Sequence, residues 1–527
     1  MAVSRKLVKG TATVGGMTLI SRVLGLVRDM VFARFGVDAG MDAFFVAFKI
    51  PNFMRRLFAE GAFSQAFVPV LTDYRSRGDH AEVRLLVERV AGTLAGLMGL
   101  LVLAAVLASP ALVLVFAPGF WVDPLKFELT AYMLRFTFPY LLFMALVAFA
   151  AGILNSYGRF GAAAFTPVWL NVVLIAMALL VAPRLDQPMV ALAWGVLVAG
   201  LVQLLFLLPA LARLRLVPRP RWGLGDPGVS RILKLMLPGI VGSSVAQINL
   251  LFDTLLASFL VTGSVSWLYY ADRLVEFPLG VFAIALATVI LPALSKAHTQ
   301  GASQQFSHTL DSGMRWVLLI GVPASAGLMA LAGPVLSTLF QYDDFSQRDV
   351  DMAALALSSY AFGLPAFMLV KVLAPAFYAR QDARTPVKVA VRAMAANMVL
   401  NVLIVVPLVL FEIPGAHAGL ALATALAGYL NAGLLFRYLR AEAVYRPAPG
   451  WPRLLLQMLF AVAVMLVVVI WAMPDGPAWM GLSGSQRVRW TGLLVVLGAA
   501  AYLASLRLAG LRLSVLRTPA AEAERES

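Results

Sequence analysis

The chain has 527 residues, 61% of them hydrophobic and 13% charged, with a net charge of +15. Soluble domains are typically about 45–50% apolar and about 25% charged, so the composition excludes a soluble enzyme and indicates an all-α polytopic membrane protein. With no cysteine in the chain, disulfides and thiolate metal sites are excluded as well. In a soluble protein such a charge would suggest nucleic acid. In a membrane protein it is the lysine and arginine excess of cytoplasmic loops facing anionic lipid, so membrane lipids and not nucleic acid are the expected contacts.

A spanning helix needs about 20 mainly apolar residues. About fourteen candidate stretches follow one another, over 11–35, 41–71, 86–116, 127–155, 161–182, 189–212, 230–261, 266–295, 310–340, 350–379, 386–410, 416–439, 453–473 and 488–511. The basic start MAVSRKLVKG runs into the first of them without a small-residue cleavage site, which reads as a retained helix and not a signal peptide. Alternate loops are rich in Lys and Arg: Arg75, Arg77 and Arg84; then Arg213, Arg215, Arg219 and Arg221; then Arg380, Arg384 and Lys388; then Arg437, Arg440 and Arg446. The loops between them are poor, with Lys126, Arg184 and Arg348. The bias places both termini in the cytoplasm of a cell whose inner membrane holds the protein.

The first two spans carry charge where lipid tolerates it least. Arg22, Arg28 and Asp29 lie on span 1, with Arg34 at its end as a boundary anchor. Asp42, Lys49, Arg55, Arg56 and Glu60 lie on span 2, with Glu60 four residues after Arg56 on the same helix face. Each such charge at a bilayer centre costs about 2.5–3.5 kcal/mol on insertion scales, so a wet, cationic interior is expected. Asp29 and Asp42 are the nearby counter-charges. Gly15, Gly16 and Gly25 loosen span 1, where a break or bend is expected. The alternative is structural: headgroup anchors, and Lys49 and Arg55 in salt bridges with Asp29 and Glu60. Positive charge exceeds negative, and a missing anion completes the count. Arginine stays charged when desolvated and presents a fork matched to phosphate oxygens, so a diphosphate headgroup is the natural guest, with carboxylates as the alternative.

A weak internal repeat links the two halves. Pro69 matches Pro292, Pro110 matches Pro334, Pro139 matches Pro365, and Thr166-Pro167-Val168 matches Thr385-Pro386-Val387, at a common offset of about 219–228 residues. Three segments follow: 1–222 with helices 1–6, 223–445 with helices 7–12, and 446–527 with the last two helices and a tail. Six is even, so the copies are parallel repeats about an axis along the membrane normal. Span 8, the partner of span 2, carries Asp272, Arg273 and Glu276 within about one turn, and Pro278 invites a kink. A second polar set comprises Asp253 on span 7, Asn397 and Asn401 one turn apart on span 11, and Thr424 on span 12. Such oxygens suit a hard cation or serve as interhelical hydrogen bonds. The histidines are scattered, and no Walker or Rossmann motif occurs. Asp343-Asp344 is an adjacent acidic pair in a loop, expected to be solvated.

The stretches SRVLGLVRD at 21–29, DAFFVAFKIPNFMRRLFAEGAFSQAFVPVL at 42–71, GSVSWLYYADRLVEFPLGVFAIALATVILPALS at 263–295 and KVLAPAFYARQDARTPVK at 371–388 closely resemble the MurJ (MviN) family of lipid II flippases, in the multidrug/oligosaccharidyl-lipid/polysaccharide exporter superfamily. The resemblance runs nearly end to end. It implies two six-helix lobes plus two added helices that form a groove for the lipid tail. It implies transport of undecaprenyl-diphosphate-linked disaccharide-pentapeptide, with no enzymatic step. It places the family's important charges on Arg22, Arg28, Asp42, Arg55, Arg56, Arg273 and Glu276. A sodium site of some members corresponds to Asp253, Asn397, Asn401 and Thr424, with Asn401 standing where an acid is expected. Cell-wall synthesis proteins are implied partners, and a monomer is compatible with the pattern. The rival readings are a drug exporter of the same superfamily, disfavoured by an arginine-rich site, an intramembrane lipid-linked glycosyltransferase, disfavoured by short outward loops, and a non-transporting scaffold, which leaves the arginines unexplained.

Overall fold

The computed structural model describes residues 2–56, 63–280 and 284–511, with side chains left out at 2–14, 237–247, 250, 284–289 and 477. Glu60 lies outside the described residues. Among the described residues every regular element is helical. Ten helices are long and apolar enough to cross a membrane, and they fall on spans 3–6 and 9–14 of the expected series. The other four expected spans are helical too, as α1 (Ala2–Ala33), α2 (Ala39–Arg55) with α3 (Ser64–Ser76), α10 (Pro227–Ala257), and α11 (Ser264–Pro278) with α12 (Ile284–Thr299). The chain is a multi-pass membrane protein.

Contacts divide it into two compact units, Met1–Ser266 with Tyr342–Asp344, and Trp267–Gln341 with Phe345–Ser527. The first unit also contains α4 (His80–Leu107), α5 (Ser109–Phe116), α6 (Pro124–Thr137), α7 (Tyr140–Ser156), α8 (Phe160–Ala176) and α9 (Pro188–Ala212). In it α1 packs on α8, α2 on α6 and α9, and α3 on α7 and α10. Its core is aromatic and branched: Phe63, Phe67 and Phe149 stack beside Val87, Ile153 and Leu207. Lipid is as apolar as these side chains, so close packing and hydrogen bonds, rather than hydrophobic transfer, hold the helices together.

Of the break or bend expected in the first span, the break does not occur: α1 runs as one helix from Ala2 to Ala33. A glycine in a helix costs only about 1 kcal/mol relative to alanine, and with no proline in α1 its backbone ladder survives. The turn after α1 does need its glycine. Gly36 has φ +73°, and a Cβ there would lie 2.8 Å from the Asp344 carbonyl oxygen. Beside it Arg34 donates to Asp343 at 2.5 Å, both side chains being about half exposed. Arg34 thus lies just past the end of α1, and half of the acidic pair is its partner.

Proline in α8 shows how a spanning helix repairs its own backbone. Pro167 cannot donate to the Ala163 carbonyl one turn back. The Thr166 hydroxyl donates to that carbonyl instead, at 2.8 Å. The carbonyl of Thr166 then accepts from the Gln203 amide of α9, also at 2.8 Å.

The second unit holds α13 (Ser303–Ala330), α14 (Ala332–Phe340), α15 (Gln347–Tyr378), α16 (Arg384–Leu410) and α17 (Ala416–Ala441), followed by α18 (Trp451–Ala472), the short α19 (Gly476–Met480) and α20 (Gly484–Leu508). Here α15 packs on α13 and α17, and α17 on α16. The last two long helices pack on each other and on α13 through Leu454, Met458, Leu494 and Tyr502. The Tyr502 hydroxyl donates to the Leu319 carbonyl at 2.8 Å.

Candidate functional site

The charged residues of α1 are held by α8. Arg28 is 5% exposed, and its Nε and Nη2 both donate to Asp29 Oδ1, at 2.9 and 2.6 Å. Its Nη1 donates to Asn171 Oδ1 at 3.1 Å, and its guanidinium lies over the Phe32 ring, 5.5 Å from the centroid. The Asn171 amide is itself oriented by donating to the Ser21 carbonyl at 3.0 Å. Burying an unpaired guanidinium would cost several kcal/mol, and these contacts offset that. Arg22, one turn and a half earlier, is only half-buried.

On α2, Asp42, Lys49 and Arg56 recur every seven residues and so share one helix face. Exposure rises along that face: Asp42 is buried, Lys49 half-buried and Arg56 exposed. Arg55 is half-buried, and its Nε donates to Asn52 Oδ1 at 3.1 Å. Asp42 does not meet an arginine. Its Oδ2 accepts from the Gly263 amide at 2.7 Å, and its Oδ1 from the Ser266 amide at 3.0 Å and the Ser266 hydroxyl at 2.6 Å. Its ionic partner is Lys126 of α6, at 3.7 Å. Asp42 is thus the counter-charge of a lysine in the first turn of α6, and not of an arginine as the sequence suggested.

The first turn of α11 is buried all round, from Ser264 to Leu268, and beyond it only one face is. Trp267 and Tyr270 are buried; the Trp267 indole donates to Asp349 Oδ1 at 2.9 Å, and the Tyr270 ring meets Phe340 and Phe345. Asp272 is exposed, whereas Arg273 and Glu276 are partly so. Arg273 Nη1 donates to Glu276 Oε2 at 2.9 Å, and its guanidinium lies over the Tyr269 ring. The α-helical run reaches Pro278, where the sequence invites a kink, and residues 279–280 continue it with π-type turns.

Of the candidate cation ligands, three come together. Asn401 Nδ2 donates to Asn397 Oδ1 at 2.9 Å, and Asn397 Nδ2 donates to Thr424 Oγ1 at 3.2 Å. All three side chains are neutral. Asp253 is half-buried on α10 and belongs to the first unit. No cluster of three or more His, Cys, Asp or Glu occurs among the described residues.

One buried network was not anticipated. Asp311 of α13 pairs with Arg315 at 2.7 Å. It also accepts from the Tyr445 hydroxyl at 2.6 Å, the Trp451 indole at 2.7 Å and the Ala448 amide at 3.2 Å. Arg315 donates to the Pro449 carbonyl at 2.9 Å. The network pins the connector before α18 to α13. Burial pushes the Tyr445 phenol up, and its bond to the Asp311 carboxylate adds to this. The signal was available: Asp311 and Arg315 are four apart on an otherwise apolar span. Lys126 and Asn171 gave less warning, each being a lone polar residue whose partner is distant in sequence.

Helices that cross a membrane, grouped in two compact units, with ionisable side chains buried on α1 and α2 and presented on α11, define the class as a secondary-type membrane transporter. The family described as lipid II flippase MurJ matches residues 31–478. The chain belongs to that family, as its relatives bear out. It is 48% identical to the probable lipid II flippase MurJ of Vibrio cholerae, over 98% of this chain and 99% of that one. It is 40% identical to the lipid II flippase MurJ of Burkholderia cenocepacia, over 97% and 99%. A solved structure of lipid II flippase MurJ in an inward closed conformation aligns with a TM-score of 0.77 at 25% identity, covering 93% of this chain and 97% of that one. An inward-facing multidrug resistance MATE transporter of the MOP superfamily shares the fold alone, with a TM-score of 0.64 at 16% identity over 80% and 95%.

Proposed function

We propose that this chain carries lipid II, the undecaprenyl-diphosphate-linked disaccharide-pentapeptide, from the cytoplasmic to the periplasmic leaflet of a bacterial inner membrane by alternating access. The observation that carries the reading is the near-complete alignment at 48% identity with a protein named as a probable lipid II flippase. Arg22, Arg28, Arg55, Arg56 and Arg273 hold the diphosphate and sugars, while the tail stays in lipid. Guanidinium suits this task because it keeps its charge and offers bidentate bonds to phosphate oxygens. Arg28 must exchange Asp29 and Asn171 for the cargo, and Arg273 its partly exposed pair with Glu276. Lys49, Asp29 and Asp272 tune the field around these groups. The two six-helix repeats rock about the site, with both termini in the cytoplasm and α18 and α20 flanking the lipid tail.

With no nucleotide-binding motif in the sequence, the drive is the membrane potential, an ion gradient or consumption of the product. The potential alone supplies about 2.3 kcal/mol per elementary charge per 100 mV. Sodium is a second element of the proposal. The oxygens of Asn397, Asn401 and Thr424 fit a hard cation in type, and the one formal charge of the set would come from Asp253. Sodium-independent transport, or transport unchanged in Asp253→Asn, would remove that element.

The decisive measurement is arrival of lipid II in the outer leaflet of proteoliposomes. Arg273→Ala, inserted and folded, should transport at least about tenfold more slowly, the loss expected for one charge-assisted hydrogen bond to the cargo. Normal transport by that variant would sink the charged-site mechanism. Drug efflux or glycosyl transfer by the purified protein would favour the rival readings.

A further inference from the structure

The sequence places Lys126 among the few cations of a lysine-poor loop and gives it no role. In the structure it is 4% exposed, in the first turn of α6, behind the N-cap Asp123. That position is unfavourable on two counts. The helix dipole opposes a cation at an N-terminus, and burying an ammonium costs several kcal/mol unless it is paired. Its pairing is with Asp42 Oδ2 at 3.7 Å, and its stem ends over the Phe120 ring, 5.2 Å from the centroid.

Asp42 is where two repeat-equivalent helices meet. The carboxylate sits in the first turn of α2 and accepts from the amides of Gly263 and Ser266 where α11 begins. The sequence separations, 221 and 224, fall within the offset of the internal repeat. Two helix N-termini, both positive ends of dipoles, thus approach each other with one carboxylate between them. The equivalent turn of α11 offers Val265 and Ser266, so the second copy supplies no acid. Lys126 is carried with Asp42, because α6 packs along α2 and the Thr137 hydroxyl donates to the Ala47 carbonyl at 2.6 Å.

We infer that Lys126 is a positioning residue: it holds the Asp42 carboxylate aimed at the amides of Gly263 and Ser266, and so keeps the start of α11 docked on α2. The inference rests on the alternating-access reading above, in which this end is periplasmic. The reason for its selectivity is dielectric. While α11 is docked, the carboxylate is dry and Lys126 matters; once α11 leaves, water reaches Asp42 and Lys126 contributes little.

The natural absence of cysteine makes the test direct. Ser264, the first residue of α11, is 1% exposed. In the full-length chain carrying Ser264→Cys, labelling from outside by a membrane-impermeant maleimide reports undocking. Lys126→Met and Lys126→Gln should label at least about tenfold faster than the parent, as removal of one partner of a buried pair predicts. Lys126→Arg should restore slow labelling. In an Asp42→Asn background, Lys126→Met should add nothing. Unchanged labelling in the folded Met and Gln variants, or equal and additive acceleration in the Asp42→Asn background, would overturn the inference. Lipid II transport is measured in the same vesicles. A parent that moves no lipid II but labels in a Lys126-dependent way defeats the cargo reading and leaves this one standing.

Discussion

Helices α2 and α11, which the sequence pairs as equivalents of a weak internal repeat, handle charge in opposite ways. On α2 the acid is sealed: Asp42 has three hydrogen bonds and an ammonium neighbour, and its exposure is 1%. On α11 the basic group is left accessible: Arg273 holds Glu276 across one turn, with side-chain exposures of 34% and 45%. Arg28 of α1 resembles α2, being saturated by Asp29, Asn171 and Phe32. A buried pair is costly to break, whereas an accessible pair is worth about 0–1 kcal/mol and easy to exchange. Two chemically similar arginines thus have different duties in this conformation. Arg28 holds α1 to α8, and Arg273 lies in a partly exposed pair on its own helix.

The largest effect that would break this comparison is on stability. Arg28→Ala removes the buried charge-assisted bonds to Asp29 and Asn171, so the thermal transition in detergent should fall by an amount equivalent to about 1.5–3 kcal/mol. A transition within a degree of the parent would show that Arg28 is not structurally committed. Next is Asp311→Asn, which keeps one acceptor oxygen but loses the charge facing Arg315. It should cost about 1–3 kcal/mol and speed proteolysis of the connector at 442–450; an unchanged cleavage rate would remove the network's anchoring role. Arg273→Ala should shift the thermal transition by the equivalent of about 0–1 kcal/mol while abolishing most transport. Equal damage to both readouts would erase the distinction between the helices.

The smallest effect lies outside the spans. Arg231, and after it Arg77, donate to Asp73 and hold its carboxyl below the ordinary value of 3.8. Its contribution is therefore present above the usual carboxylate range and is lost as pH falls through the lower folded value. Asp73→Asn should flatten the acid limb of the stability profile slightly, and an unaltered limb would show that these exposed bonds contribute nothing.

Much of the architecture was legible in the chain because lipid imposes one rule on every span: its backbone must close its own hydrogen bonds. Helices therefore followed from apolar length, and Arg34, at a span end, was recognisable as a boundary residue. The glycines of α1 did not mark a break, because glycine weakens a helix without interrupting its ladder. Arg22, Arg28, Asp42, Arg55, Arg56, Arg273 and Glu276 could be named from charge in an apolar setting. Their partners could not. Nothing local in the sequence joins Asp42 to Lys126 and Ser266, Arg28 to Asn171, or Asp311 to Tyr445 and Trp451.

The amino-acid sequence by itself determined that this is a helical membrane protein, where its long apolar helices fall, and where ionisable groups interrupt them. Those are consequences of composition and period, which are local. Only the tertiary structure decided which charges are satisfied and which stay accessible, because the energy of a buried charge depends on groups that the chain brings to it from far away.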